Sequence, residues 1–489
     1  MHYYRVKKLP MSPVLAVSVI LTYCLALILI SFKTEGKSDS EAFFTGNRQS
    51  PWYVVAFGMI GATLSGVTFI SVPGWVAASQ FSYMQMVLGY LVGYLVIATV
   101  LMPLYYKLNI ITIYTYLEKR FGFWSYKTGS FYFIISRVIG ASFRLFLVAG
   151  VLQLAVFNTW GVPFWVSVLI TIALIWVYTF RGGIKTIVWT DTLQTFFILS
   201  SVVIIVFYIA SSLDWSIADI TSQIKASEYS KMYFWDWKDS RNFFKQFFAG
   251  AFFAIVMTGL DQDMMQKNLT CKNIGEAQKN MFWFSISLVF ANLLFLSLGA
   301  LLYIYAAAYG ISIPSKPDDL FPFLALNYFP SVIGIIFLLG ITAAAYSSAD
   351  SALTSLTTSF CVDFLGFEPG VKGDNRTRWQ VHIAFSVLLF FVIMVFYLIS
   401  DESVISSLFT VAGYTYGPLL GLFAFGLFTK RKVNDKLVPA ISVISPVISY
   451  VLKTNAPVWF GGYQIGFEIL IFNGLFTFIG LHLISRRGE

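Results

Sequence analysis

Hydroxyl side chains surround a single carboxylate in an apolar part of the sequence, where residues 341–360 read ITAAAYSSADSALTSLTTSF. Ser347, Asp350, Ser351 and Thr354 follow the i, i+3, i+4, i+7 spacing that places side chains on one face of a helix. Hydroxyl and carboxylate oxygens are hard ligands, which suit a hard cation better than a transition metal. Serine and threonine also bond back to their own helix, so it is Asp350 that favours a cation site here.

A second polar stretch combines glycine with hydroxyl residues, where residues 57–75 read FGMIGATLSGVTFISVPGW. Such a sequence can unwind and leave backbone carbonyls available to a cation or a substrate where it lines a cavity. The alternative is a close-packed helix interface built from small residues such as Gly58 and Gly61. Composition alone leaves both interpretations open.

Two arginines and an aspartate also lie in apolar surroundings. Arg137 and Arg144 are seven residues apart and therefore share one helical face. Paired arginines facing a cavity would capture a carboxylate or a phosphate; otherwise they form ion pairs with Asp191, Asp261 or Asp350. Both roles stay open for Arg137, and the structural one is favoured for Arg144. Asp191, in IVWTDTLQ, is either a sodium ligand or a helix-start residue.

The composition shows which class of protein must position these residues. The chain is 57% hydrophobic and only 12% charged, with 49 phenylalanines, whereas soluble domains are about 45–50% apolar and about 25% charged. So much apolar surface excludes a soluble enzyme, a disordered protein and a nucleic-acid-binding protein. The three histidines and three cysteines match no catalytic or metal-binding motif. We therefore predict an integral membrane protein without enzymatic activity.

Apolar stretches of about 20 residues predict thirteen spans. With the C-terminus inside, the cytoplasmic segments carry 21 lysines and arginines and the opposite side carries 10, so the N-terminus is predicted outside. The expected spans are 13–32, 51–78, 82–106, 128–156, 161–180, 187–211, 243–261, 281–308, 327–362, 379–400, 403–428, 436–453 and 465–485.

A long polar connection at about 212–242 divides most of these spans into two halves, 51–211 and 243–428. Each half holds five spans, and an odd number forces the second half to insert upside down relative to the first. This arrangement is typical of the inverted repeats of secondary transporters. The span at 13–32 precedes the repeats, and two helices at 436–485 follow them within a single transmembrane domain, 1–489.

Five segments of the chain match motifs of one known family. They are ATLSGVTF (62–69), RGGIKTIVWTDTLQ (181–194), DQDMMQKNLTCKNIGEAQKN (261–280), AAAYSSADS (343–351) and GPLLGLFAFGLFTKR (417–431). In these segments the chain resembles the sodium/solute symporters, which include bacterial transporters of galactose, proline and sialic acid. The resemblance implies an all-α membrane protein with a leucine-transporter-like inverted repeat of 5+5 helices and extra helices. It also implies sodium-driven import of a small organic solute by alternating access, by a monomer in the inner membrane.

The resemblance also implies the ion ligands, with sodium as the coupling ion. One sodium is expected between the first and eighth core spans, and a second one beside the eighth. Asp350 stands where the sialic acid transporter pattern has serine, so the second site is expected to be stronger, altered or linked to protons. The first set is the carbonyls of Gly61, Leu64 and Ala344 with the hydroxyls of Ser347 and Ser348; the second is Asp191, Ser347, Asp350 and Ser351.

The substrate residues follow from the same resemblance. Ser65, Thr68 and Arg137 occupy positions like those of the sialic acid transporter, with Arg137 as the carboxylate-binding arginine. Tyr83 and Gln85 are expected to contribute from the second core span. An anionic solute such as a sialic-acid-like sugar acid is therefore favoured. A neutral sugar or amino-acid symporter, a proton-coupled transporter and a sodium-sensing receptor are the alternatives.

Overall fold

The computed structural model describes residues 12–34, 48–108, 112–179, 184–367, 375–399 and 403–486. Almost all of this part is helical. The longer helices are α1 (Pro13–Thr34), α2 (Trp52–Thr63), α3 (Gly66–Ser79), α4 (Tyr83–Leu108), α5 (Thr115–Arg120), α6 (Phe123–Phe157), α7 (Phe164–Thr179), α8 (Ile184–Ser212), α9 (Ile217–Ala226), α10 (Phe243–Gly259), α11 (Gln262–Asn268), α12 (Ile274–Ala308), α13 (Leu320–Asn327), α14 (Ser331–Phe364), α15 (Asn375–Ile399), α16 (Val404–Thr415), α17 (Gly417–Phe428), α18 (Val438–Trp459) and α19 (Ile469–Leu483).

Short elements complete the described chain. Three 3₁₀ turns lie at Glu228–Ser230, Pro317–Asp319 and Asp435–Leu437. Strands β1 (Lys432–Val433) and β2 (Ser485–Arg486) pair antiparallel, with Lys432 opposite Arg486. This pairing attaches the end of the described chain to the connection that precedes α18.

The helices have the lengths that a bilayer requires. Seven of the described helices are long and apolar enough to cross a membrane, or ten when each of three bent pairs counts as one span. Shorter apolar helices lie at Pro13–Leu29, Phe164–Trp176 and Ile469–Leu483. A multi-pass membrane protein follows from these lengths, whereas the count of thirteen spans stays a prediction.

Three broken helices organise the interior. Helices α2 and α3 meet at 54°, α10 and α11 at 71°, and α16 and α17 at 45°. At the first break, Ser65 is extended, with φ −68° and ψ 178°. At the third, Pro418 lies in the first turn of α17 and has no N–H to continue the helix. The amide of Asn473 donates to the carbonyls of Gly413 (3.0 Å) and Tyr414 (2.8 Å), which that break leaves open.

Small residues bring the first broken helix against α8. A Cβ added at Gly61 would lie 2.1 Å from Oγ1 of Thr195, and one at Gly58 would lie 3.2 Å from Cβ of Asp191. The two interpretations of this glycine-rich stretch are therefore both realised. Gly58 and Gly61 pack closely against a neighbouring helix, while the chain unwinds just beyond them.

Candidate functional site

A cavity lies beside the break between α2 and α3, enclosed by α4, α6, α10, α12 and α16. Its wall is apolar and aromatic, with a few hydroxyls, an amide and two guanidinium groups. This mixture is typical of a small-molecule site, in which a few polar groups orient a ligand among apolar side chains. The lining includes Thr63, Ser65, Thr68, Tyr83, Tyr90, Tyr94, Arg137, Arg144, Phe253, Met257, Thr258, Asn292 and Phe409.

Four of the five predicted substrate residues line this cavity: Ser65, Thr68, Tyr83 and Arg137. Gln85 lies elsewhere. Its amide donates to the carbonyl of Arg241 (2.9 Å) and accepts from the backbone N–H of Phe234 (3.2 Å). Gln85 therefore fastens the long polar connection to α4, because both ends of its amide are engaged there.

The two arginines differ in their surroundings. The guanidinium of Arg137 pairs with Asp263 and lies 3.8 Å from Asp261. Arg144 lies seven residues further along α6 and lines the same cavity. Within the described ranges it has neither a hydrogen bond nor an ion pair. The charge of Arg137 is thus neutralised by protein carboxylates, whereas the charge of Arg144 is directed at the cavity.

The expected first sodium site has the right kind of oxygen atoms. Among the described residues, no backbone amide donates to the carbonyls of Gly61 through Leu64, because the helix stops there. On α14, Ser348 is 1% exposed and its hydroxyl has no hydrogen-bond partner in the described part of the chain. Ser347 donates to Oδ1 of Asp191 at 2.7 Å and keeps its lone pairs. Neutral oxygens of this kind suit a monovalent hard cation.

The residues of the expected second sodium site contact charged groups of the protein. The carboxylate of Asp191 lies 2.8 Å from Nζ of Lys267 and accepts from Ser347. The hydroxyl of Ser351 donates to Asp263. The side chain of Asp350 lies outside the described part of the chain, so the comparison rests on the other three ligands. Asp191 is thus paired with a cationic side chain of the protein, whereas the hydroxyls of Ser347 and Ser351 donate their hydrogens and keep their lone pairs.

Helix α11 lies beyond the predicted span 243–261, and of this charged region sequence reasoning singled out only Asp261, as a possible arginine partner. It carries Asp263 and Lys267, and its first turn is capped by Asp261, which accepts from the N–H groups of Asp263 (3.0 Å) and Met264 (3.3 Å). Asp261 also accepts from the hydroxyl of Tyr416 at 2.8 Å. Two aspartates and a lysine within DQDMMQK, directly after an apolar span, were the signal that could have indicated this charged network.

A family model described as the sodium:solute symporter family matches residues 43–436, most of the chain. The chain belongs to the sodium:solute symporter family. Sodium-coupled solute symport is therefore its activity, sodium is its coupling ion, and it is a transporter and not an enzyme.

Two curated relatives in this family are bacterial. The sodium/sialic acid symporter NanT of Aliivibrio fischeri is 26% identical over 463 residues, which cover 92% of this chain and 89% of that protein. The sodium/sialic acid symporter SiaT of Proteus mirabilis is 25% identical over 441 residues, which cover 87% of each chain. The similarity runs almost end to end, so no large region of this symporter lacks a counterpart in them.

The fold has a solved counterpart. A structure described as the substrate-bound outward-open state of a Na⁺-coupled sialic acid symporter superposes with a TM-score of 0.80 at 20% identity. The superposition covers 97% of this chain and 99% of the other. This likeness establishes the all-helical transporter fold of this sodium:solute symporter.

Proposed function

We propose that this symporter imports a small organic anion, a sugar acid or another carboxylate, together with sodium. The observation that carries the proposal is the position of Arg144. A guanidinium in a largely apolar cavity, without a protein carboxylate beside it in the described chain, is compensated when an anion binds. Its planar donors also match a carboxylate in a bidentate arrangement.

The other polar groups of the cavity are suited to bind a solute that carries hydroxyl groups. Ser65 and Thr68 lie at the start of α3, and Thr258 and Asn292 face them from α10 and α12. These groups both donate and accept hydrogen bonds, as the hydroxyl groups of a sugar acid require. The two bacterial relatives are described as sialic acid symporters, which supports the same class of substrate here.

Sodium is proposed to bind to the carbonyls of Gly61, Leu64 and Ala344 and to the hydroxyls of Ser347 and Ser348. These ligands come from α2, the following break and α14, so bound sodium would hold the break beside the cavity in its ordered form. Separation of α14 from α2 would remove ligands and release the ion to the inside. Substrate and ion are thereby linked through the same unwound segment.

The finer architecture is part of the proposal. Two inverted repeats at 51–211 and 243–428 are supported by the placement of the breaks, since α2–α3 and α10–α11 are each the first span of a half. We propose that the protein works as a monomer within the lipid of the inner membrane. The bias of lysine and arginine supports an external N-terminus and a cytoplasmic C-terminus.

A thermal-shift screen of the purified protein tests the substrate class. Sugar acids, neutral sugars and amino acids are compared in sodium and in choline. We expect sugar acids to raise the melting temperature only in sodium, and Arg144→Gln to abolish that rise. Lys225→Gln, which removes an exposed positive charge on α9, is the matched control. Stabilisation by neutral sugars or amino acids, unchanged in Arg144→Gln, would contradict an anionic substrate.

A further inference from the structure

We propose that Phe467, in the connection between α18 and α19, is a gating residue that closes the substrate cavity towards the side predicted to be external. The inference rests on the cavity proposed above as the substrate site. The connection follows both proposed repeats in the chain, so the inference gives a part in transport to the two helices that come after them. It depends neither on an anionic substrate nor on the number of sodium ions.

Four aromatic side chains form a closed set of contacts, which we call the aromatic plug: Trp75, Tyr83, Phe409 and Phe467. Between ring centroids, Phe467 lies 6.1 Å from Trp75 and 5.3 Å from Phe409. Tyr83 completes the set, 6.4 Å from Trp75 and 6.1 Å from Phe409. Aromatic pairs attract each other at centroid separations of about 4.5–7 Å, so each ring of the plug is held by two others.

The aromatic plug lies between two cavities. Tyr83 and Phe409 line the substrate cavity. Trp75 lines a second cavity, which we call the vestibule, together with Lys238 and other polar residues of the loops. Phe467 is 7% exposed and contacts both Trp75 and Phe409. A solute that moves directly from the vestibule to the substrate cavity would therefore have to separate these rings.

A buried lysine on α10 holds the connection in this position. Nζ of Lys245 donates to the carbonyl of Gln464 at 2.9 Å and lies 4.0 Å from the carboxylate of Glu468. Glu468 in turn accepts from the backbone N–H of Gly466 at 2.9 Å. The chain on both sides of Phe467 is thus fastened to α10, the first helix of the second broken pair.

Phe467 contacts one ring from each proposed repeat, Trp75 from the first and Phe409 from the second. Alternating access moves such repeats relative to each other, and an opening towards the vestibule would separate rings that belong to different repeats. Phe467→Ala removes both contacts, so the contact between Tyr83 and Phe409 is the one that still joins the repeats within the plug. We therefore expect the closed state of this variant to admit small molecules from the vestibule.

The test measures access to the substrate cavity by cysteine labelling. Met257→Cys places a thiol in that cavity, and Lys238→Cys places one in the vestibule. Right-side-out membrane vesicles in choline, without solute, are treated with a membrane-impermeant thiol reagent, and the two labelling rates are compared. We expect position 257 to be labelled much more slowly than position 238. Phe467→Ala should raise the ratio of the two rates about tenfold, because the closed state no longer excludes the reagent.

Three variants control the experiment. Phe472→Ala removes a ring from α19 outside the aromatic plug and should keep the wild-type ratio. Phe467→Trp keeps an aromatic ring at the gate and should keep that ratio as well. Lys245→Gln leaves Phe467 in place but removes its anchor on α10, so the ratio should rise to a smaller extent.

Equal ratios in Phe467→Ala and Phe472→Ala would overturn the proposal. If Phe467→Ala fails to fold, Lys245→Gln decides the question, and a ratio unchanged from the wild type in that variant would overturn the proposal. The labelling uses no solute, so a wrong substrate class would leave its result unchanged.

Discussion

The hydroxyl of Tyr416 donates a hydrogen bond of 2.8 Å to the carboxylate of Asp261, and each residue sits at the break of a different helix. Asp261 caps α11 after the 71° bend, and Tyr416 lies between α16 and α17, at the 45° bend. Arg137 lies 3.8 Å from the same carboxylate. The two breaks and α6 are thereby held together by one buried acid beside the cavity.

Tyr416→Phe removes this link and leaves Asp261 with one donor fewer. Hydrogen bonds to charged groups contribute about 1.5–3 kcal/mol, so we expect a lower melting temperature and slower uptake in proteoliposomes. Apparent sodium affinity should change little. Tyr414→Phe removes a hydroxyl that makes no hydrogen bond within the described chain and is the matched control. If both variants have the same melting temperature and the same rate of uptake, the hydrogen bond between Tyr416 and Asp261 does not connect the two breaks.

Ser348→Ala should weaken sodium activation of uptake by about tenfold or more, which corresponds to about 1.4 kcal/mol. The reason is that its buried hydroxyl has no hydrogen-bond partner in the described part of the protein and is therefore available to an ion. Combined with Ser347→Ala, it should abolish sodium-dependent uptake. Ser355→Ala is the control, because that hydroxyl bonds to the carbonyl of Ala352 in its own helix. Normal sodium dependence of the double variant would exclude this site.

Arg137→Gln should destabilise the protein and not merely its substrate complex. Breaking a buried ion pair by removing one partner costs about 3–5 kcal/mol, and Arg137 neutralises Asp263 and Asp261. Thermal unfolding of the purified protein measures this loss. Adding Asp263→Asn should recover part of it. A stable Arg137→Gln protein that had lost only its affinity for anions would instead support the sequence-based role of Arg137.

The loop between α12 and α13 should respond to pH through Asp318. Burial raises the pKa of Asp318 to about 6, and its carboxylate accepts from the N–H of Val404 at 2.8 Å at the start of α16. If the loop lifts away, this pKa returns towards its ordinary value of about 3.9. Protons are therefore bound more tightly in the packed form, and this added stability of up to about 3 kcal/mol is present below about pH 4 and is lost as the pH rises to about 6.

A cysteine label can follow this change. Ile70 lines the same pocket as Asp318 and Val404. A cysteine introduced by Ile70→Cys should therefore be labelled faster by a membrane-impermeant thiol reagent as the pH rises from 5 to 8. The same cysteine with Asp318→Asn corrects for the titration of the thiol itself, because asparagine stays neutral. A constant ratio of the two labelling rates across this range would rule out the proposed pH response.

The membrane potential should have little effect on uptake of a monovalent anion. One sodium moved with one negative charge transports no net charge, whereas two sodium ions would gain about 2.3 kcal/mol per 100 mV. Uptake into proteoliposomes at imposed potassium-diffusion potentials measures this. Potential-driven accumulation of a monocarboxylate would indicate a second transported cation.

The sequence by itself determined the class of protein and most of the candidate site. Membrane insertion depends on local apolar length, and the bias of lysine and arginine indicates an orientation, so both can be predicted without tertiary contacts. The glycine and hydroxyl pattern around Gly61 left an unwound helix and a close-packed interface open, and the structure contains both. Family motifs identified the symporter, and the family comparison confirms that identification.

Only the tertiary structure decided which charges meet. The spacing of Arg137 and Arg144 places both on one helical face, but their partners depend on where residues 261–263 lie, more than a hundred positions later in the chain. The bend between α10 and α11 brings Asp261 and Asp263 to Arg137 and leaves Arg144 to the cavity. The same bend carries Lys267 to Asp191. Partner choice among buried charges is a long-range property, because local sequence determines a helical face and not the helix that packs against it.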